Sequence, residues 1–310
     1  MRELHLHLDG SMRPETVLDL YREENILPPC EDVLSMKKML TANPDAKDLG
    51  EVLQVFNIPL KVLQKQYALK RAAKELVEDL KKAGNDYAEI RFAPQLSVKE
   101  GLSQKEVLNA VIDGIKEGMK ENPDIEVGLL LCMMRGGSKE ANRETVLLAH
   151  EYLGNHVKGI DLAGDENNYP CHLYEDEFAL ARRLNVPFTV HAGESKSIAN
   201  VMDAIRYGAR RLGHGCSVIH DKEVMHIIKE EGILIECCLT SNMQTKEVPD
   251  LSKHPIRAFF DYGIRVNINS DNMTVSDTDI RKERKLAKDL LDFTDEELSL
   301  IDGYAKEASF

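Results

Sequence analysis

His5-Leu6-His7-Leu8-Asp9 places two imidazoles two residues apart in a run that reads as a β-strand. Alternate residues of a strand share a face, so the spacing predicts His5, His7 and Asp9 on one side and Leu4, Leu6 and Leu8 on the other. Both faces are therefore committed. An exposed edge strand would simply solvate its histidines, so the pair gains meaning only from what the rest of the chain supplies.

Working outward, apolar strand-like runs alternate with amphipathic helical stretches. The runs are Glu3 to Asp9, Asp86 to Gln95, Ile125 to Arg135, Val157 to Asp165, Val186 to Glu194, Arg211 to Cys216, Leu234 to Asn242 and Arg265 to Asp271. Gln64 to Lys82 and Ser103 to Lys120 combine period-3.6 apolar positions with charged outer faces. Shorter helical candidates follow at Lys139 to Tyr152, Glu175 to Leu184, Ser197 to Tyr207, Lys222 to Glu231 and Pro255 to Phe260. Strict alternation implies a parallel sheet, and eight such units without a composition break imply a closed (β/α)8 TIM barrel, one α/β domain over residues 1–310. A doubly wound open sheet is the alternative, but no glycine-rich phosphate loop follows an early strand. The stretch from Arg13 to Lys82 exceeds a normal crossover and predicts extra helices over the barrel mouth. Ser276 to Phe310 reads as one or two amphipathic helices closing the barrel.

Composition narrows the function. At 310 residues, 43% hydrophobic and 30% charged, the chain is ordinary globular material. A net charge of -13 argues against tracking a phosphate backbone or an anionic membrane surface, so neither nucleic acid nor membrane is an expected partner. No apolar run is long enough to span a bilayer, and the N-terminus lacks the basic start and apolar core of a signal peptide. Six cysteines show no CxxC spacing, and four lie in apolar strand-like runs, as buried thiols in a reducing cytoplasm would. The HxE and PCxxC pattern of zinc deaminases acting on bases within nucleic acids is absent.

In such a barrel, chemistry sits at the carboxyl ends of the strands. The first run ends in His5, His7 and Asp9, and the fifth in Val190-His191-Ala192-Gly193-Glu194. The sixth ends in Leu212-Gly213-His214-Gly215, and the eighth in Asn267-Ile268-Asn269-Ser270-Asp271-Asn272. Histidines and a carboxylate converging on one barrel end make a natural site for a divalent transition metal, and imidazole with carboxylate suits zinc. Each ending alone is weak, because a strand-end His is more often a hydrogen-bonded core residue and a strand-end Asp more often a helix N-cap. Their joint occurrence carries the argument.

Six motifs then form one set: Leu4-His5-Leu6-His7-Leu8-Asp9-Gly10-Ser11, Gly159-Ile160-Asp161-Leu162-Ala163-Gly164-Asp165-Glu166, His191-Ala192-Gly193-Glu194, Arg211-Leu212-Gly213-His214-Gly215, Cys238-Leu239-Thr240-Ser241-Asn242 and Ser270-Asp271-Asn272. The set resembles the adenosine deaminase family, the metal-dependent purine deaminases of the amidohydrolase superfamily. The resemblance implies hydrolysis of adenosine and 2′-deoxyadenosine to the 6-oxopurine nucleoside and ammonia, with hydroxide on one zinc ion attacking C6. It implies that His5, His7, His191 and Asp271 hold the metal. Glu194 would protonate the ring nitrogen beside C6, which requires a carboxyl that keeps its proton near neutral pH. His214 would orient the attacking water and take or stabilise its proton. For substrate binding, the likeness gives His7 and Asp9 contacts near the ribose, the Gly164 amide a ring nitrogen, and Asn272 the purine N7.

Asn272 departs from the commonest pattern, which has a second aspartate there. The change is chemically tolerable, since an amide donates to N7 whereas an aspartate must be protonated to do so. Leu239 stands where many relatives carry proline. Phe56-Asn57-Ile58-Pro59-Leu60 resembles the family's lid segment, with a plain helix–helix turn as the alternative reading. Asp9 favours a nucleoside over free adenine, whose deaminases carry glutamate at that place. AMP would call for clustered basic groups, and the motif loops offer only Arg135, Arg210 and Arg211.

Three other functions fit parts of the pattern. A binuclear amidohydrolase would want a bridging lysine at the end of the fourth strand, where this chain has Gly164-Asp165-Glu166. An aminofutalosine-type deaminase shares every motif. A non-catalytic purine-binding protein on the same scaffold would be expected to lack Glu194 or a ligand. His150, His156, His172, His220, His226 and His254 fall outside the motifs and read as solvated or structural.

Overall fold

The structure, a computed structural model, describes residues 1–310 throughout. Its strands are β1 (Arg2–His7), β2 (Tyr87–Phe92), β3 (Glu126–Met134), β4 (Val157–Ala163), β5 (Thr189–Ala192), β6 (Arg211–His214), β7 (Leu234–Cys237) and β8 (Val266–Ile268). Neighbours in sequence pair in parallel from β1 to β4 and from β5 to β8. Two thinner seams close the ring. Ile160 lies opposite Phe188, with the Ile160 amide donating to the Pro187 carbonyl at 3.0 Å, and Leu6 lies opposite Asp271. At the second seam the Asn269 side chain substitutes for a missing ladder partner, accepting from the Leu4 and His5 amides at 2.8 and 3.1 Å. The predicted barrel is the observed one.

Every predicted strand runs past the observed carboxyl end, by one residue at β3 to five at β7, and two of these ends bear on the site. β1 stops at His7, and Asp9–Ser11 is a 3-10 turn, so Asp9 reaches the barrel mouth by that turn and not by strand alternation. The neighbouring β2 ends at Phe92, and the Leu8 amide makes the last bond to it, to the Arg91 carbonyl at 3.0 Å. β7 likewise ends at Cys237, and Leu239–Gln244 is a short helix in which Asn242 is buried. There the Thr240 amide donates to the buried Glu283 carboxylate at 3.1 Å, which fastens the helix across the mouth.

Between β1 and β2 the chain inserts helices Pro14–Glu23, Val33–Leu40, Leu49–Leu53 and Asn57–Val62 before the crossover helix Gln66–Lys82. The crossover helix Gln104–Glu121 starts at a capping box, in which Ser103 and Glu106 satisfy each other's backbone amides. The tail forms Ile280–Leu291 and Asp295–Ala308. It closes the floor, where the Arg211 guanidinium donates to the Ala308 carbonyl at 3.0 Å and the Phe310 amide to Glu89 at 2.9 Å. No helix is long and apolar enough to cross a membrane. All six cysteines are free thiols, and five are buried.

Candidate active site

Strand alternation turns His5 and His7 into the barrel, β5 carries His191 to the same end, and the β8–β1 seam delivers Asp271. The His7 amide donates to the Asp271 carbonyl at 2.7 Å and the Asp271 amide to the His5 carbonyl at 3.0 Å. His5 Nε2 and His7 Nε2 lie 3.4 and 3.5 Å from Asp271 Oδ1, and His7 Nε2 lies 3.2 Å from His191 Nε2. The four groups predicted to hold a metal thus lie in a chain of close contacts at one end of the barrel. Asp271 and His214 both sit at positive φ, 59° and 66°, a conformation that costs a non-glycine residue energy and is held here by the surrounding pairing.

Behind these imidazoles lies a fully buried chain of charges. His5 Nδ1 meets Glu236 Oε2 at 2.8 Å, and His191 Nδ1 meets Asp161 Oδ2 at 2.8 Å. Arg91 bridges the two carboxylates, at 2.8 Å to each, and Arg211 joins Glu236 to Glu89. The Glu236 carboxylate fixes the His5 ring by a hydrogen bond and the Asp161 carboxylate faces His191 Nδ1, leaving Nε2 of both rings towards the centre. His5 Nε2 is buried there without a hydrogen-bond partner, a costly arrangement for a polar atom unless something coordinates it. Ligand atoms of His5, His191 and His214 also lie within 4.8 Å of one another, as do those of His5, Cys238 and Asp271.

The electrostatics suit cation binding. Burial holds His7 well below its ordinary pKa and lowers His191, keeping both neutral with a free lone pair. Burial pushes Asp271 the other way, but the close approach and charge of His5 outweigh it and hold the carboxyl well below the usual range.

A cavity of about 290 Å³ opens above this cluster. His7, Asp9, Glu194, His214, Asp271 and Asn272 form its polar side, and Leu49, Val52, Leu53, Phe56 and Leu60 its apolar side. The Phe56–Leu60 segment therefore lines the recess. Glu194 is held by its own loop, since the amides of Gly193, Glu194 and Ser195 donate to Glu166 at 2.8, 3.0 and 3.0 Å. Its carboxyl, 3.6 Å from His214 Nε2, is pushed well above the ordinary value, first by burial and then by the charge of Asp271. Burial likewise pushes Asp9 up to about 6. Gly10 is required by close approach, because a Cβ there would fall 1.8 Å from Asn272 Oδ1. Gly164, at φ +105°, occupies backbone space that side chains disfavour and also lines the cavity.

The whole chain, residues 1–310, matches the family model described as adenosine deaminase. The chain belongs to the adenosine deaminase family. The adenosine deaminase of Enterococcus faecalis is 40% identical over 281 residues, covering 91% of this chain and 83% of that one. The apo N6-methyl-AMP deaminase of Arabidopsis thaliana superposes with a TM-score of 0.86 at 26% identity, over 99% of this chain and 90% of that one. The adenine deaminase of Arthrobacter aurescens gives a TM-score of 0.90 at 22% identity, over 100% and 93%, a likeness of fold alone.

Several residues of this adenosine deaminase-family site escaped the sequence reading. Asp161 and Glu236, which back two of the histidines, and Arg91 and Arg211, which neutralise them, are ionisable groups inside apolar strand runs; that mismatch was the available signal. Glu166, which fixes the Glu194 loop, carried no such mark. Of the non-motif histidines, His150, His172, His220 and His226 are exposed and His156 is half-buried, whereas His254 is the structural one, buried against Asn242. Of the three arginines in the motif loops, Arg135 lines the cavity but donates to the Tyr169 and His191 carbonyls, Arg211 lies in the floor, and exposed Arg210 lies over the Phe310 ring. Exposed Lys47, Lys196 and Lys246 border a separate cavity on the Glu194 side.

Proposed function

We propose that this chain hydrolyses adenosine and 2′-deoxyadenosine to inosine and deoxyinosine with release of ammonia, in one barrel domain spanning residues 1–310. The observation that carries the reading is the convergence of His5, His7, His191 and Asp271 beside a buried, proton-retaining Glu194 in one cavity. Three imidazoles and a carboxylate fit one divalent transition metal, zinc foremost, and the unpartnered His5 Nε2 points to such an occupant. Bound there, the ion would supply hydroxide near neutral pH.

The chain's own groups do the rest. Glu194 keeps its proton and donates it to the ring nitrogen beside C6, which makes that carbon electrophilic. Anionic Asp271 and His214 orient the attacking oxygen from two sides. His7 and Asp9 bind at the ribose, the Gly164 amide donates to a ring nitrogen, and the Asn272 amide donates to N7. The apolar wall from Leu49 to Leu60 covers the ligand and excludes bulk water.

The bonds of Arg135 to backbone carbonyls, and the placing of Arg210 and Arg211 away from the cavity, support a nucleoside over a nucleotide. The net charge of -13 supports a small-molecule partner over nucleic acid or a membrane surface. Six free thiols suit a reducing cytoplasm.

The test mixes purified protein with adenosine, 2′-deoxyadenosine, adenine and AMP, with and without a chelator, and follows the ultraviolet change on loss of the 6-amino group. Conversion of the two nucleosides alone, abolished by the chelator and restored by zinc, is expected. Failure on both nucleosides with metal present refutes the substrate assignment and directs the search to modified 6-aminopurine nucleosides.

A further inference from the structure

His254, Asn242 and His214 form a buried hydrogen-bonded row behind the wall of the cavity. Asn242 lies 3.1 Å from His254 Nε2 on its oxygen side and 2.9 Å from His214 Nδ1 on its nitrogen side. The direction of the row follows from donors and acceptors. The Ile256 backbone amide donates to His254 Nδ1 at 3.2 Å, so that nitrogen carries a lone pair. Burial lowers the His254 pKa to about 3, so the ring is neutral and its one proton is on Nε2. That N–H requires an acceptor, which turns the Asn242 oxygen towards His254; the opposite amide orientation would set two donors face to face. The other neighbour of His254 Nε2 is the weak acceptor Cys216 Sγ, at 3.9 Å. Asn242 Nδ2 therefore donates to His214 Nδ1. The backbone of Asn242 is fixed as well, its amide donating to the Cys238 carbonyl and its carbonyl accepting from the Val248 amide, both at 2.9 Å.

We propose that His254, acting through Asn242, is a positioning residue that fixes His214 in the tautomer with its proton on Nε2. The cavity then always meets an N–H donor at that point, aimed at the attacking oxygen and lying 3.6 Å from the Glu194 carboxyl. The proposal rests on the deaminase reading for its catalytic consequence, but the tautomer is a property of the folded chain. An imidazole joined to solvent would divide between its two neutral forms, and a buried amide locked by a second imidazole removes that choice.

The experiment is nitrogen-15 NMR of protein labelled in histidine, as purified and again after chelation, which separates protonated from unprotonated ring nitrogens. His214 and His254 are both expected to carry their proton on Nε2. Asn242→Asp keeps the side-chain shape but presents an acceptor to both rings, so His214 should acquire a proton on Nδ1. With it, kcat on adenosine should fall by about 10–100-fold while KM stays within about threefold. His254→Leu should give a similar fall with both His214 tautomers present, and His254→Gln, which keeps an N–H near Nε2, should recover most of the loss.

A wild-type His214 protonated on Nδ1 overturns the proposal, whatever the variants do. So does an Asn242→Asp protein whose His214 tautomer inverts with kcat unchanged. A wild-type protein with the expected tautomer but no turnover of any 6-aminopurine nucleoside would sink the functional reading and leave the relay standing.

Discussion

Replacing Glu236 with glutamine should loosen the barrel interior and the metal centre together. Glu236 is fully buried; its Oε2 meets the donors His5 Nδ1 and Arg91 Nη2, both at 2.8 Å, and its Oε1 forms an ion pair with Arg211 Nε at 2.7 Å. A glutamine oxygen can keep the first two, but its N–H groups then face the Arg211 guanidinium and the compensating charge is gone. Breaking a buried ion pair costs about 3–5 kcal/mol. An unfolding entropy of about 2.1 cal/mol/K per residue gives about 0.65 kcal/mol per kelvin for a chain of this length, so Tm should drop by about 5–8 °C. Calorimetry on the metal-free protein reads this without interference from bound metal. Chelator competition should then show metal affinity lower by about 10–100-fold, because His5 loses the carboxylate that orients it. Arg265→Ala, which breaks the surface pair with Glu307, is the control and should move Tm by no more than about 1.5 °C. A Glu236→Gln protein within 2 °C of wild type, binding metal as tightly, would refute the role assigned to the buried charge chain.

Glu194→Gln should lower kcat by about 10²–10⁴-fold while metal content stays near wild type, and retained turnover would remove Glu194 as the proton donor. Gly10→Ala should displace Asn272, since the new Cβ would sit 1.8 Å from its Oδ1; an overpacking cost of about 1–3 kcal/mol predicts KM up by about tenfold, and an unchanged KM would refute the contact. Glu3 is buried, and burial raises its pKa from 4.5 to about 7, so the folded chain binds this proton more tightly than the unfolded one. Its contribution to stability therefore declines as pH rises from about 4.5 to about 7, at about 1.4 kcal/mol per pH unit. Glu3→Gln keeps the acceptor for the Ser270 amide and removes that dependence, so urea unfolding should show it gaining on wild type by up to about 3 kcal/mol between pH 4.5 and pH 8. A difference that does not change with pH would sink the assignment.

The sequence by itself determined the barrel and the groups at its mouth. Eight apolar runs separated by amphipathic stretches leave few ways to bury both faces of each strand, so periodicity alone reached the fold. Strand ends are punctuated by residues that break the apolar pattern, and His5, His7, His191, His214 and Asp271 were legible for that reason. What lies past those ends was less so: Asp9 reads as strand by alternation but sits on a turn, and Asn242 reads as strand but sits on a helix, because strand length is set by where a neighbour's ladder stops.

Only the tertiary structure decided what each of these groups faces. Asp161 and Glu236 lie 30 and 231 residues from the histidines they orient, Arg91 lies 70 and 145 residues from the carboxylates it joins, and no local rule links them. His254 looked like a loop histidine until the fold buried it against Asn242, and its tautomer follows from a backbone amide two residues away. Hydrophobic pattern is a property of a segment and can be read along the chain. Hydrogen-bond partnership and charge compensation are properties of positions in space, and they exist only once the barrel has closed.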